Sequence, residues 1–276
     1  MRPRALSIAG SAARGGAGIQ ADLKTFQELD VYGVASITAF VARHPETKQG
    51  VYPQTTEAIE AQVYTMLEDI GCDALKTGML FTEEIIQTVA HLVKTSGVQS
   101  IVVDPVMIGK MGSKLLKDEA MDALQTLLIP QATVVTPNMY EAAHLIGKSF
   151  DALQTRDDLI DAAEQIHELG PKYVLVKGGK LEGPAIDILF DGDNMYELKA
   201  PRIDTIHTNG AGCTYSAAIT AELAKGASIV DAVTTAKRFI TAAIRKAEPF
   251  KQGPGPTYHA AFKKYGEDEV IVTKIR

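Results

Sequence analysis

The segment HTNGAGCTYSAA, residues 207–218, sets Gly210, Ala211 and Gly212 directly before Cys213 where a helix-like run opens. Small residues let backbone N–H groups approach an anion with no side chain in the way, and a helix N-terminus adds partial positive charge. Such a turn can stabilise a phosphate. The same field favours a thiolate, which predicts a lowered pKa for Cys213 and a role as proton acceptor near neutral pH. A close-packed glycine turn with a small buried cysteine would look the same in isolation.

In open parallel sheets ligands sit beyond the carboxyl ends of the strands, and three more strand ends carry polar residues. VVTPNMYEAAHL places Asn138 and Glu141 three residues apart. That pair can hold a magnesium shell and its triphosphate, or act as a helix cap and its capping box, and the two roles can coexist. VLVKGGK ends a strand with Lys177 before two glycines, where an ammonium can meet phosphate oxygens. IVVDPVMIGKMG puts Asp104 ahead of a Gly- and Met-rich stretch, residues 107–112, able to cover a bound substrate. The glycines of GSAARGGAG are followed by no Walker lysine, and no G-x-G-x-x-G follows a strand. Six His and two Cys show no structural zinc spacing.

These residues need a frame. Short apolar runs alternate with amphipathic stretches, the pattern of parallel βαβ units and so of an α/β fold with a mostly parallel central sheet flanked by helices. The spacing predicts strands at residues 5–9, 34–40, 73–79, 100–106, 133–136 and 172–176, and helices over 19–29, 56–70, 82–93, 155–169, 214–224 and 229–247. In the first helix Leu23 and Phe26 face inward. Residues 186–200, with the cluster Asp191, Gly192, Asp193 and Asn194, read as an antiparallel hairpin. The chain beyond Phe250 reads as loop. No repeat, low-complexity segment or composition break marks a linker, so one domain over 1–276 is expected.

The composition agrees: 46% hydrophobic and 22% charged residues suit a packed globule. With 28 Lys plus Arg against 34 Asp plus Glu, the net charge of -6 and the lack of a basic run disfavour nucleic acid as a partner. No apolar run approaches the ~18 residues of a spanning helix, so a cytoplasmic, unprocessed protein with no membrane partner is expected. Two cysteines make no disulfide framework, and Cys72 is expected to be a buried core thiol.

Together, ALSIAGSAARGGAGIQADLKTFQELDVYG, ALKTGML, VVDPVM, VVTPN followed by Glu, VKGG and HTNGAGCTYSAAITAELAKG resemble the ribokinase-like vitamin kinases, in the hydroxymethylpyrimidine kinase and pyridoxal kinase branch. The resemblance implies a homodimeric kinase using ATP and Mg2+. In it the turn from Gly210 to Cys213 is the anion hole and Cys213 stands in for the catalytic aspartate of most ribokinase relatives. It also implies nucleotide contacts from Asn138, Glu141, Lys177 and Thr208, with Val233, Ala236 and Lys237 bordering adenine and Glu141 and Asp104 near the metal. The substrate ring would lie against Ala17, Asp22, Met79 and Val106, with Asp22 as polar anchor, although an exposed helix carboxylate would read alike. Pyrimidine kinases of the branch carry a polar triplet such as Gln-Asn-Thr after the second strand, where this chain has Arg43, His44 and Pro45. That favours pyridoxal, with pyridoxine and pyridoxamine, over hydroxymethylpyrimidine or its phosphate; a non-catalytic ligand sensor is the rival from another class. Gly109 stands where some B6 relatives carry a cover cysteine, Ala12 replaces the aspartate of AGSD, and Asn209 replaces the usual histidine.

Overall fold

A computed structural model describes residues 1–47, 50–109, 114–149, 151–266 and 268–276. The cover stretch expected at 107–112 therefore lies partly outside the described residues. In chain order the elements are β1 (Arg4–Ala12), α1 (Ile19–Glu28), β2 (Tyr32–Val41), β3 (Val51–Pro53), α2 (Thr56–Tyr64) continuing as wider π-turns (Thr65–Ile70), β4 (Ala74–Thr77), α3 (Glu83–Thr95) and β5 (Ile101–Val103). Then come a mixed helical stretch around α4 (Met121–Ala123), β6 (Val134–Val135), α5 (Met139–Leu145), α6 (Arg156–His167), β7 (Tyr173–Lys177), β8 (Ala185–Phe190) and β9 (Met195–Ala200). The chain closes with α7 (Ala211–Ala224), α8 (Ile229–Arg245), α9 (Ala261–Tyr265) and β10 (Ile271–Lys274).

The strands form one sheet in the order β10-β9-β8-β7-β6-β5-β4-β1-β2-β3. Pairing is parallel from β2 through β1, β4, β5 and β6 to β7, and antiparallel at both margins. The chain leaves β1 toward β2 on one side and returns as β4 on the other, so the topological switch point, where ligands of open sheets collect, lies between β1 and β4. One face is covered by α2, α3, α5 and α6 around Leu6, Ile8, Leu75, Val103 and Val135. The other is covered by α1, α7 and α8 around Ala5, Val102, Val134, Leu175 and Leu189.

The core strands stop earlier than the apolar runs suggest. β5 ends at Val103 and β6 at Val135, because Pro105 and Pro137 have no N–H to extend a ladder. Two helix starts are fixed by side chains: the hydroxyl of Thr82 accepts from the Ile85 amide and that of Thr155 from Asp158, whose carboxylate returns to the Thr155 amide. The tail read as loop contains α9 and β10, and β10 pairs with β9 as an antiparallel edge. Its four residues are too few to show alternation. Cys72 is partly buried and packed against the core, as expected of a core thiol, and its sulfur meets the Ala74 carbonyl at 3.1 Å.

Candidate active site

Side chains on a strand return to the same face every second residue. Ala5, Val102, Val134 and Leu175 face the α1, α7 and α8 layer. The residues two further on, Ser7, Asp104, Thr136 and Lys177, are therefore carried to that same face. Lys76 joins them as the register partner of Ser7 across β1 and β4. One parity thus gathers the ionisable groups at the carboxyl end of the sheet, where α7 begins.

Two glycines make the junction possible. Gly210 caps α7 with φ 79, and a Cβ there would lie 1.8 Å from the Gly16 carbonyl oxygen. Gly18, φ 58, begins α1, and its Cβ would lie 2.1 Å from the Gly10 carbonyl oxygen. The loop after β1 and the turn before α7 are pressed backbone to backbone, a fit that only glycine permits. Gly210→Ala must open that contact, and a misplacement of this size is expected to lower turnover by roughly 10²-fold or more, read from kcat on the fraction that folds.

In the turn itself the Ala211 amide donates to the Thr208 carbonyl at 3.2 Å, so Ala211 spends its donor internally instead of offering it to an anion as the sequence suggested. The amides of Gly212 and Cys213, in the first turn of α7, remain for a ligand. Lys177 Nζ lies 3.4 Å from the position that a Cβ on Gly212 would take, at the mouth of that turn. Thr208 is half-buried and Ala17 lies against Gly210.

The charges form two buried pairs. The Lys76 ammonium donates to Asp22 Oδ1 at 2.9 Å, and the Ser7 hydroxyl to Asp22 Oδ2 at 2.6 Å. Both charged side chains are 0% exposed. Burial works against the Lys76 ammonium, but Asp22, Cys213 and Asp104 together outweigh it and the pKa of Lys76 is raised, while burial raises the pKa of Asp22 as well. Asp22 is therefore not an exposed helix carboxylate; each of its oxygens accepts one hydrogen bond.

The second pair is Lys177 Nζ donating to Asp104 Oδ1 at 3.1 Å. Thr136 donates to the same oxygen at 3.2 Å and Ser216, from α7, to Oδ2 at 3.1 Å. Burial opposes ionisation of Asp104, yet Lys177 and Lys76 hold it below the usual carboxylate range. Each oxygen of Asp104 is thus engaged, and the carboxylate holds Lys177 and α7 together.

Asn138 and Glu141 form the capping box of α5: Glu141 Oε2 accepts from the Asn138 amide at 2.8 Å and Asn138 Oδ1 from the Glu141 amide at 3.0 Å. Burial, with the charge of Asp104 added, outweighs the pull of Lys177 and pushes Glu141 up to about 7. A carboxyl so placed gains from a nearby cation.

Cys213 differs most from expectation. The Gly18 amide donates toward its sulfur and Lys76 draws its pKa down, but burial, aided by Asp22 and Asp104, pushes the thiol up to about 11. The helix field predicted the opposite sign; desolvation among two carboxylates prevails.

Other expected residues are scattered. The Met79 side chain lies against Gly10 and its carbonyl accepts from Thr38, while the Val106 amide donates to the Asp104 carbonyl in the turn after β5. Val233 and Ala236 are wholly buried in the core under α8, and Lys237 Nζ donates to Asp187 Oδ2 at 2.6 Å. Lys76, Ser7, Thr136 and Ser216 were not foreseen as site residues, although ALKTGML marked the segment that carries Lys76.

Comparison with known proteins shows the family and the fold. The family described as Phosphomethylpyrimidine kinase matches residues 13–258. The pyridoxine kinase of Bacillus subtilis (strain 168) is 49% identical over 264 residues, 94% of this chain and 97% of that one. The hydroxymethylpyrimidine/phosphomethylpyrimidine kinase of the same organism is 44% identical over 263 residues, 95% and 96% of the two chains. Among solved structures, the pyridoxal kinase from Staphylococcus aureus in complex with AMP-PCP and pyridoxal matches with a TM-score of 0.92 and 40% identity, covering 100% of both chains. The mostly parallel sheet, the layered helices and full-length identity with these enzymes place the chain in the phosphomethylpyrimidine kinase family, among the ribokinase-like vitamin kinases.

Proposed function

We propose that the protein transfers the γ-phosphoryl group of ATP to the hydroxymethyl group of pyridoxal, and of pyridoxine and pyridoxamine, as a homodimer in the cytoplasm built of one kinase domain over residues 1–276. The observation that carries the reaction class is the convergence of Cys213, the Gly212 and Cys213 amides and the Lys177 ammonium at one end of α7. The hydroxymethyl oxygen attacks the γ-phosphorus, the bond to the ADP oxygen breaks, and the hydroxyl proton passes to the thiolate form of Cys213. Such transfers depend mainly on positioning and on charge aimed at the migrating group. The two amides and Lys177 supply that charge, and Asp104 and Ser216 fix where it stands. Glu141 fits a magnesium ion, which keeps most of its waters and takes one or two carboxylates beside the phosphates. When bound, that ion neutralises charge on the triphosphate.

Because Glu141 is pushed up to about 7, it is protonated on the acid side of neutrality and loses its hold on a cation there. Apparent affinity for magnesium nucleotide is expected to rise as pH climbs through about 7. Glu141→Gln should abolish that limb and leave a flat profile; a limb surviving the substitution would remove Glu141 from the site.

Pyridoxal is preferred because the segment after β2 offers little to read an aminopyrimidine edge. His44 Nδ1 is occupied in accepting from the Glu46 and Thr47 amides at 3.2 and 3.1 Å, and Pro45 has no amide proton. Steady-state phosphorylation of pyridoxal and of hydroxymethylpyrimidine, side by side with ATP and magnesium, tests this. A higher kcat/KM for pyridoxal is expected. The reverse preference makes the protein a pyrimidine kinase, and turnover of neither makes it a binding protein on a kinase fold.

A further inference from the structure

The anion-hole turn is held from behind by a segment that none of the chemistry uses. After α8 the chain crosses back over the start of α7. The Gly255 amide donates to His207 Nδ1 at 3.0 Å, and the Asn209 amide returns a bond to the Gly255 carbonyl at 3.0 Å. Pro256 bridges to Asn209 and closes on Gly16, whose Cβ, if present, would lie 2.8 Å from the proline ring. Arg14, in the loop after β1, donates to the Gln252 carbonyl at 2.6 Å. The segment is itself anchored, since the Tyr258 amide donates to the Ala243 carbonyl near the end of α8 at 2.9 Å.

The last link reaches the residue beside Cys213. Thr214 Oγ1 meets His259 Nε2 at 3.1 Å and Thr257 Oγ1 at 3.3 Å. Thr214 is 0% exposed, Thr257 2% and His259 7%. A threonine inside a helix ordinarily turns its hydroxyl back to the carbonyl one turn earlier, as Thr220 does here toward Ser216. Thr214 instead points its hydroxyl out of α7 to the crossing segment, where no water competes for it. A buried hydroxyl in that setting fixes the rotation of the first helical turn, and with it the direction of the Gly212 and Cys213 amides.

We propose that His259, acting through Thr214, is a positioning residue for phosphoryl transfer: it clamps the first turn of α7 so that the anion hole and Cys213 keep their aim. The inference rests on the kinase reading above. Burial, with the nearby Lys24 charge, pulls the imidazole down to about 4, so the clamp is a neutral hydrogen bond across the working pH range.

The test compares His259→Ala, His259→Gln and Thr214→Val with the wild-type enzyme in steady-state kinetics and in amide hydrogen exchange of residues 207–214. His259→Ala and Thr214→Val are each expected to lower kcat by roughly 10- to 100-fold with KM for both substrates unchanged. His259→Gln, which keeps a side-chain partner for Thr214, should recover part of that loss. Because Thr214→Val removes the His259 bond together with the Thr257 contact, adding His259→Ala to it should lower kcat no further than Thr214→Val alone. Exchange in 207–214 should accelerate in both single variants, a readout that needs no turnover and so survives failure of the kinase assignment. Multiplicative losses in the double variant, normal kcat in the folded fraction, or unchanged exchange in 207–214 would each overturn the proposal. Should His259→Ala fail to fold, the near-isosteric Thr214→Val decides alone.

Discussion

Replacing Cys213 with alanine is expected to lower kcat by roughly 10²- to 10⁴-fold, the usual contribution of a positioned proton acceptor, while nucleotide affinity stays unchanged. The amides of Gly212 and Cys213 belong to the backbone and survive the substitution, as does Lys177. The pH dependence sharpens the expectation. In the free protein the thiol is pushed up to about 11, so at neutral pH it is protonated, and proton acceptance draws on its thiolate. The kcat/KM for the vitamin, which reports groups of the free enzyme, should keep rising through the alkaline range, and Cys213→Ala should remove that rise. Alkylation of Cys213 by iodoacetamide should follow the same curve. An alanine variant turning over at near wild-type rate would take the proton-acceptor role away from Cys213.

Lys76→Met is expected to cost about 3–5 kcal/mol of folding stability, a large share of the ~5–15 kcal/mol typical of a domain. The substitution leaves the Asp22 carboxylate with only the Ser7 hydroxyl at 2.6 Å, inside a site where neither partner of the original pair is exposed. Asp22→Asn combined with Lys76→Met removes both charges and should recover most of the loss, the signature of a pair whose cost lies in stranding one member. Because the Lys76 pKa is raised in the folded state, its stabilisation is complete below the unfolded lysine value of ~10.4. It is lost only as pH rises through the folded value, so urea unfolding at pH 7 reads it in full. A Lys76→Met variant within about 1 kcal/mol of wild type would mean the pair holds nothing together. The single variant also removes the cation that draws the Cys213 pKa down, so thiol alkylation should slow further in whatever folds.

Local signals in the sequence identified the elements but not their long-range partners. The Gly-x-Gly-Cys turn, the capping box of Asn138 and Glu141 and the lysine before two glycines each declare themselves within a few residues, and all three lie where the strands end. Asp22 does not. Its place in α1 fits a solvated carboxylate as well as a ligand, and its partner is 54 residues away across the switch point. Asp104 likewise looks like a free carboxylate until Ser216, 112 residues later, meets it from α7. The misreading of Cys213 has the same origin: helix polarity is visible in a sequence, whereas the desolvation that outweighs it depends on what the tertiary structure buries. For Val233 and Ala236 the periodicity of α8 was available, and it places them on the inward face with Phe239 and Ile240.

The crossing segment has a consequence for how the enzyme is made. Gly16 and Pro256 touch in the finished protein but are roughly 240 residues apart, and at ~5–20 residues per second a ribosome needs on the order of 10–50 s to join them. The loop after β1 is translated first and its brace long afterwards. A nascent chain that has already paired β1 with β2 and β4 still has an unbraced α7 start until residues 252–259 have been made.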